Sequence, residues 1–221
     1  VPLFLATAMV LPFYGETVYT IPQGYTKITI PAGNGTSPSL TAISATLLRD
    51  VEFSGSVAIA GDFSSVASTQ SVSSVGAGWT TNQWIAEPYL AFVSDGTGEE
   101  AFRIMGNTAE TLTLETSFDL TADSVPGGAV TQRFPSTTTI KIRKAVTLGS
   151  FFGTTGASFG SGDVVYAWNG TGWESYIYSF LGFWALSSDD FTDLNDTVIF
   201  PDEGLFVSRV TATPVIVTLF G

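Results

Sequence analysis

Carboxylates are the side chains most able to do acid–base chemistry in this sequence, because it contains no His and no Cys. Nucleophiles that depend on a histidine base are therefore excluded within the chain, as are the usual ligand sets of zinc, haem and iron–sulfur centres. A glycosidase needs two facing carboxyl groups, roughly 5–10 Å apart. The acidic neighbours Glu99–Glu100 and Asp189–Asp190 would point to opposite faces of a strand. We predict no catalytic residues and a protein that is not an enzyme.

A short acidic segment is a candidate calcium site. Calcium prefers about six to eight oxygen ligands, several of them carboxylates, and this segment is dense in acidic and amide side chains. Its spacing is not that of an EF-hand loop, and the glycine of that loop is missing. The alternative is an acidic turn that caps the strand beginning near Thr197. The candidate ligands are Asp189, Asp190, Asp193, Asn195 and Asp196, and we expect no other cofactor.

Two tryptophans flank a predicted hairpin and are candidates for carbohydrate binding. Trp168 and Trp173 lie on either side of a four-residue Asn-Gly-Thr-Gly turn, in which Asn-Gly favours a tight reversal. Exposed tryptophan faces can stack on sugar rings, and Tyr166 or Tyr176 would extend such a platform. The alternative is ordinary core and cross-strand packing, which aromatic pairs favour.

The first 15 residues form an apolar arm. Residues 1–14 carry no charged side chain, and the stretch from Leu3 to Leu11 is apolar on both faces of a strand. An arm of this kind would aggregate if it stayed free in water, so it must be buried in its own domain, in lipid or in another subunit. The side chains that we predict to bind a partner are Leu3, Phe4, Leu5, Met9, Val10, Leu11 and Phe13.

Donor-strand exchange is the interpretation that we favour for this arm. Inserted along an open sheet edge of a neighbour, it would add backbone hydrogen bonds to the burial of its apolar side chains. A head-to-tail contact that does not close produces a filament. The sequence leaves open whether the arm inserts in trans or in cis.

The elements around these residues are predicted to be strands. Alternation of polar and apolar residues is clearest at Tyr25–Ile30, Thr111–Glu115 and Thr139–Arg143, and a period of two indicates strands with one wet face. We predict an all-β fold, an antiparallel sandwich or jelly roll with an extended N-terminal arm. Further strands are predicted at Val51–Ala60, Tyr89–Val93, Ala101–Met105, Val164–Trp168, Trp173–Tyr178, Val198–Phe200, Leu205–Val210 and Val215–Phe220.

Two segments and the domain boundary are less well defined by the sequence. Leu40–Leu48 fits a short helix or a strand, and Ser64–Gly78 fits a low-complexity loop or a polar strand pair, which we expect to be exposed in either case. We predict an arm at residues 1–15 and a β-domain at 16–221, with two subdomains divided near residue 145 as an option.

Composition limits the partners. The chain has 221 residues and a formal net charge of −12, which opposes binding to nucleic acid and to anionic membrane surfaces. No stretch reaches the ~20 apolar residues of a membrane span.

Several short stretches resemble, in order, a family of secreted, β-rich proteins that occur as many paralogues in environmental Gram-negative bacteria. The resemblance covers about residues 25–221, excludes the arm, and implies export but no activity and no catalytic residues. The stretches are Ile30–Gly33, Gly78–Trp84, Asn107–Leu114, Thr147–Phe152, Asn169–Trp173 and Asp196–Val207.

The function predicted from the sequence is structural. We expect an extracellular or cell-surface subunit that forms a pilus-like homopolymer or a surface layer through its arm. The alternative is a secreted carbohydrate-binding or adhesive module that uses Trp168 and Trp173 to bind a glycan.

Overall fold

The computed structural model describes residues 25–44, 48–94, 96, 98–121, 134–135, 137–154, 158–169, 172–201 and 203–220. Their regular secondary structure is almost entirely β-strand, and the strands pair antiparallel, which confirms the all-β, antiparallel prediction. The arm, including Leu3, Phe4, Leu5, Met9, Val10, Leu11 and Phe13, lies outside them.

The strands predicted from the sequence are all present, with ends that differ by a few residues at most. The first eight are β1 Tyr25–Ile30, β2 Ser39–Ser44, β3 Val51–Ile59, β4 Thr69–Ser73, β5 Tyr89–Ser94, β6 Glu99–Asn107, β7 Thr111–Glu115 and β8 Thr137–Lys144. The others are β9 Val146–Thr147, β10 Val164–Trp168, β11 Trp173–Tyr178, β12 Trp184–Leu186, β13 Val198–Ile199, β14 Gly204–Arg209 and β15 Val215–Phe220, and a short helix α1 spans Leu148–Phe152.

Six strands close into a barrel in the order β3-β4-β7-β6-β5-β8. Alternate side chains fill its interior, as Leu112 and Leu114 of β7 and Ile140 and Ile142 of β8 do. Closure leaves these strands without free edges for pairing with other chains. Strand β5 is buried on both faces, because its outward side chains pack against the segment that contains Val198 and Phe200. This contact joins the barrel to the rest of the molecule.

A second hydrophobic core lies between two sheets. One sheet has five strands in the order β12-β11-β10-β14-β2, and the other pairs only β1 with β15. Ile30, Val215 and Val217 of the two-stranded sheet share one core with Val165 and Val207 of the five-stranded sheet. Helix α1 also contributes side chains to this core. The two-stranded sheet therefore covers part of the larger one.

The two ambiguous segments are now defined. Leu40 lies in a strand, so the helical option for Leu40–Leu48 is excluded for the residues described there. The expected exposure of Ser64–Gly78 is wrong for β4, because Gln70 is only 1% exposed. Its amide donates to Ala60 O and to Asp119 Oδ1, and its carbonyl accepts from the backbone N–H of Leu120. These bonds satisfy a polar side chain in an apolar surrounding, where an unpaired amide would be unfavourable.

Residues 25–44 belong to the second core, although they precede the barrel in the chain. The chain thus enters the second core, leaves it for the barrel and returns near residue 145. Two subdomains divided at that residue stay a prediction.

Candidate functional site

Trp168 and Trp173 face each other across the β10–β11 hairpin. Their backbones are directly paired, and their rings meet edge to face with centroids 5.5 Å apart. The two residues are 41% and 51% exposed. Phe206 of the neighbouring strand extends the cluster, with its ring centroid 5.1 Å from that of Trp173. The hairpin therefore presents an aromatic cluster on the outer face of the five-stranded sheet.

Strand alternation decides which tyrosine belongs with this cluster. Tyr166 pairs with Phe206 and is two residues from Trp168, so it lies on the outer face. Tyr176 lies on the opposite face and is only 4% exposed. Of the two tyrosines considered from the sequence, Tyr166 can extend the aromatic surface and Tyr176 cannot.

A fixed carboxylate lies just behind the hairpin turn. Glu174 accepts one hydrogen bond from the hydroxyl of Tyr176 at 2.6 Å and another from the side-chain amide of Asn169 at 2.8 Å. The bond from Tyr176, and then that from Asn169, lower the pKa of Glu174 below its usual value. Burial raises the pKa of the Tyr176 phenol, and the neighbouring Glu174 raises it further. Glu174 is therefore a charged acceptor in a defined position.

A groove runs between the outer wall of the barrel and the second core. Its main part has a volume of about 440 Å³, and a neighbouring part of about 200 Å³ shares the lining residues Arg103 and Asp196 with it. Arg103 lies on strand β6, whereas Trp168 and Glu174 come from the β10–β11 hairpin. Ligand sites are common where two packed units meet. We call this feature the junction groove.

The junction groove is strongly acidic. Its main part is lined by one guanidinium, that of Arg103, and by the carboxylates of Glu115, Glu174, Asp193, Asp196 and Glu203. Burial raises the pKa of Glu203, and a hydrogen bond from the backbone of Phe200 only partly opposes this effect. The charged groups of the groove are thus mainly hydrogen-bond acceptors, and they lie beside apolar side chains such as Leu194, Val198 and Phe200 and an indole at the rim, that of Trp168.

The side chains of the acidic segment proposed to bind calcium have different partners and lie in different environments. Asp189 accepts hydrogen bonds from Phe191 N and from the hydroxyl of Thr192, and Asp193 accepts one from Asn195 N. Asn195 Oδ1 accepts from the backbone N–H of Trp184 at 3.1 Å.

These candidate ligands do not converge on one point. Asp193 and Asp196 line the junction groove, whereas Asp190 lines a different cavity, beside Phe180. In the described part of the chain, no three acidic side chains are grouped closely enough to hold a metal ion.

Several groove residues were not identified from the sequence. Arg103 and Glu115 lie on barrel strands, whereas Glu203 follows β13 near the C-terminus. Each looks like an ordinary solvated charge, because nothing in its local sequence indicates the long-range pairing that brings it to the groove.

No helix among the described residues combines the length and the apolar character needed to cross a membrane.

Comparisons with known proteins do not assign the chain to a family. No family model matches the sequence, and no curated protein matches it. Among solved structures, the chain matches the VP16-VP17 complex, a complex of the two major capsid proteins of bacteriophage P23-77, at 10% sequence identity and a TM-score of 0.20. The match covers 90% of this chain and 96% of that chain. A TM-score this low does not establish a common fold.

Proposed function

We propose that this protein is an exported structural subunit that assembles into an extracellular filament or surface layer and has no enzymatic activity. The observation that carries the proposal is the arm. Residues 1–14 contain no charged side chain, and Leu3–Leu11 is apolar on both strand faces. Burial of each large apolar side chain contributes on the order of 1.5–3 kcal/mol, so a buried site is strongly favoured.

The small sheet of the second core supports a site for such an arm. Among the described residues, β1 pairs only with β15, so each of these strands keeps one edge without a partner. The sheet that they face has five strands, so this layer has room for more. A strand added beside β1 or β15 would gain main-chain hydrogen bonds and would extend the layer over the core.

The net negative charge of the chain suits a polymer that stays dispersed. The chain carries 20 acidic and 8 basic residues. A net charge of this size opposes non-specific association, so assembly depends on a specific contact.

Charge substitutions in the arm test the proposal. Leu5→Asp places a carboxylate in the segment that should be buried between subunits, whereas Thr17→Asp places the same charge just beyond the arm. We expect sedimentation velocity to show large assemblies for the wild type and Thr17→Asp, and a folded monomer for Leu5→Asp. Assemblies in all three proteins would overturn the proposal. So would a Leu5→Asp protein that loses its far-ultraviolet β spectrum, because the arm would then belong to its own domain.

A second candidate function, an adhesive or carbohydrate-binding module, is favoured by the half-exposed Trp168 and Trp173. Loss of glycan binding in Trp168→Ala and Trp173→Ala, in a protein that remains monomeric, would support this function over assembly.

A further inference from the structure

The junction groove has the shape of a site for a chain-like ligand. Its two parts are neighbouring cavities, because Arg103 and Asp196 line both of them. Trp168 lies in the lining of the larger part, and Met105 and Ile85 lie in that of the smaller part. The lining mixes apolar side chains, among them Leu194, Val198 and Phe200 in the larger part, with charged ones. Sugars carry both apolar faces and hydroxyl groups, so a lining of this kind suits a ligand built from sugar units.

Trp168 is held in place at the groove. Its ring contacts the ring of Trp173 edge to face, and its backbone is paired with that of the same residue. Trp173 itself does not line the groove. Strand alternation directs the Trp168 ring to the outer face and the Glu174 carboxylate to the opposite face, so Trp168 borders the groove at its rim, at the end of the hairpin. The exposed part of the Trp168 ring can stack against a sugar unit that leaves the groove there, while Trp173 supports it from outside.

The polar groups in the groove match hydroxyl groups. The Glu174 carboxylate is already oriented by Tyr176 and Asn169 and keeps lone pairs for further donors. Arg103, on the barrel, supplies donors in the same groove. A hexose offers neighbouring hydroxyls that can donate to a carboxylate and accept from a guanidinium.

The negative charge of the groove favours neutral sugars over anionic ones. With five carboxylates and one guanidinium in its main part, the groove repels uronates and sulfated glycans. It also suits the apolar arm poorly, because an arm without charged side chains would leave these carboxylates desolvated and unpaired. The groove is therefore distinct from the surface proposed to receive the arm.

We infer that the junction groove binds a neutral oligosaccharide chain, with Trp168 as the stacking residue at its rim and with Glu174 and Arg103 bound to hydroxyls. This inference rests on the second candidate function, glycan recognition, but assigns it to the groove and not to the outer aromatic cluster. It is independent of assembly.

Binding of defined hexasaccharides to the full chain tests the inference. Isothermal titration calorimetry should detect binding of at least one of the hexamers of cellulose, mannan and chitin. It should detect no binding of hexagalacturonate, which is the matched anionic control. Trp168→Ala and Glu174→Gln should each weaken that binding about tenfold or more, whereas Trp173→Phe, which keeps a ring outside the groove, should change it less than threefold.

Three outcomes would overturn the inference. Equal losses of affinity in Trp168→Ala and Trp173→Phe would place the site on the outer aromatic cluster. Glycan recognition would then remain supported, but binding in the groove would be contradicted. Tighter binding of hexagalacturonate would contradict the charge argument. Absence of binding to every hexamer, with native far-ultraviolet spectra, would remove both the groove site and the second candidate function, and would leave assembly untouched.

Discussion

Arg209 Nε lies 3.3 Å from Asp163 Oδ2, and both side chains are sealed from solvent, at 0% and 2% exposure. Asp163 also accepts hydrogen bonds from the backbone N–H groups of Val210 and Thr211 and from the Thr211 hydroxyl. The Arg209 guanidinium lies 4.8 Å from the ring centroid of Phe159. This buried pair ties the loop before β10 to the turn between β14 and β15, where the chain passes from one sheet of the second core to the other.

Asp163→Asn should destabilise the protein strongly. The substitution leaves the buried Arg209 without its counter-ion, and breaking a buried pair in this way costs about 3–5 kcal/mol. Urea unfolding at pH 7 measures the change in the free energy of unfolding. Asp62→Asn is the control, because Asp62 also accepts a backbone hydrogen bond, from Ser71, but is exposed. Equal effects of the two substitutions would contradict the importance of the buried pair.

The same pair predicts acid sensitivity. Burial tends to raise the pKa of Asp163, but hydrogen bonds from Gly160, Thr211 and Val210 outweigh it, and the pKa is lowered in the folded protein. Its contribution to stability is therefore complete above the unfolded-state pKa, about 4, and is lost as the pH falls through the lower folded-state pKa. Urea titrations from pH 6 to pH 2 should show a smaller loss of stability in Asp163→Asn than in the wild type. If the free energy of unfolding fell equally with pH in both proteins, Asp163 would make no such contribution to acid sensitivity.

The contribution of Glu203 to stability should depend on pH in the opposite direction. Burial raises its pKa in the folded state, so its contribution favours folding below the unfolded-state pKa and is lost as the pH rises through the folded-state value. Glu203→Gln removes a partly buried charge and should raise the melting temperature at pH 7, by roughly 1–3 °C, but not at pH 4. Differential scanning calorimetry at both pH values checks this. A gain of the same size at pH 4 would mean that the charge is not responsible.

Gly33 lies where the chain crosses from β1 to β2. A Cβ at this position would lie 2.2 Å from the backbone oxygen of Arg209 and 2.7 Å from that of Val210. Because backbone must move to relieve this clash, Gly33→Ala should destabilise the protein by about 1–3 kcal/mol. Gly61→Ala is the matched control, since a Cβ there would meet nothing within 4 Å. Thermal unfolding of the two variants compares them, and similar melting temperatures would show that the crossing is not tightly packed.

Local patterns predicted the strands well, because a strand with one wet face leaves a period of two in its residues. Thr111–Glu115 and the hairpin around Asn169 are examples, since Asn169 N–H bonds to Gly172 O as a tight turn requires. Pairing between distant segments leaves no such trace. Nothing near Tyr25 indicates that β1 pairs with β15 at the other end of the chain.

The candidate site was predicted in part for the same reason. Trp168 stands out in the sequence because it directly precedes a predicted tight turn, with Trp173 directly after that turn. Arg103 and Glu203 do not, because their proximity in the groove depends on how the barrel packs against the second core. Gln70 was assigned to an exposed segment, since a serine-rich sequence resembles a loop and its buried hydrogen-bond partners lie up to 50 residues away.

Mixed-isotope cross-linking tests the central proposal, insertion of the arm into a neighbouring subunit, most directly. Subunits labelled with ¹⁴N or ¹⁵N, each with a photoreactive phenylalanine analogue in place of Phe4, would be unfolded, mixed in equal amounts and assembled together before irradiation. Insertion in trans predicts that about half of the peptides cross-linked to the arm join a light arm to a heavy acceptor or the reverse. Cross-links confined to pairs of the same isotope would show that the arm folds into its own domain and would contradict the proposal.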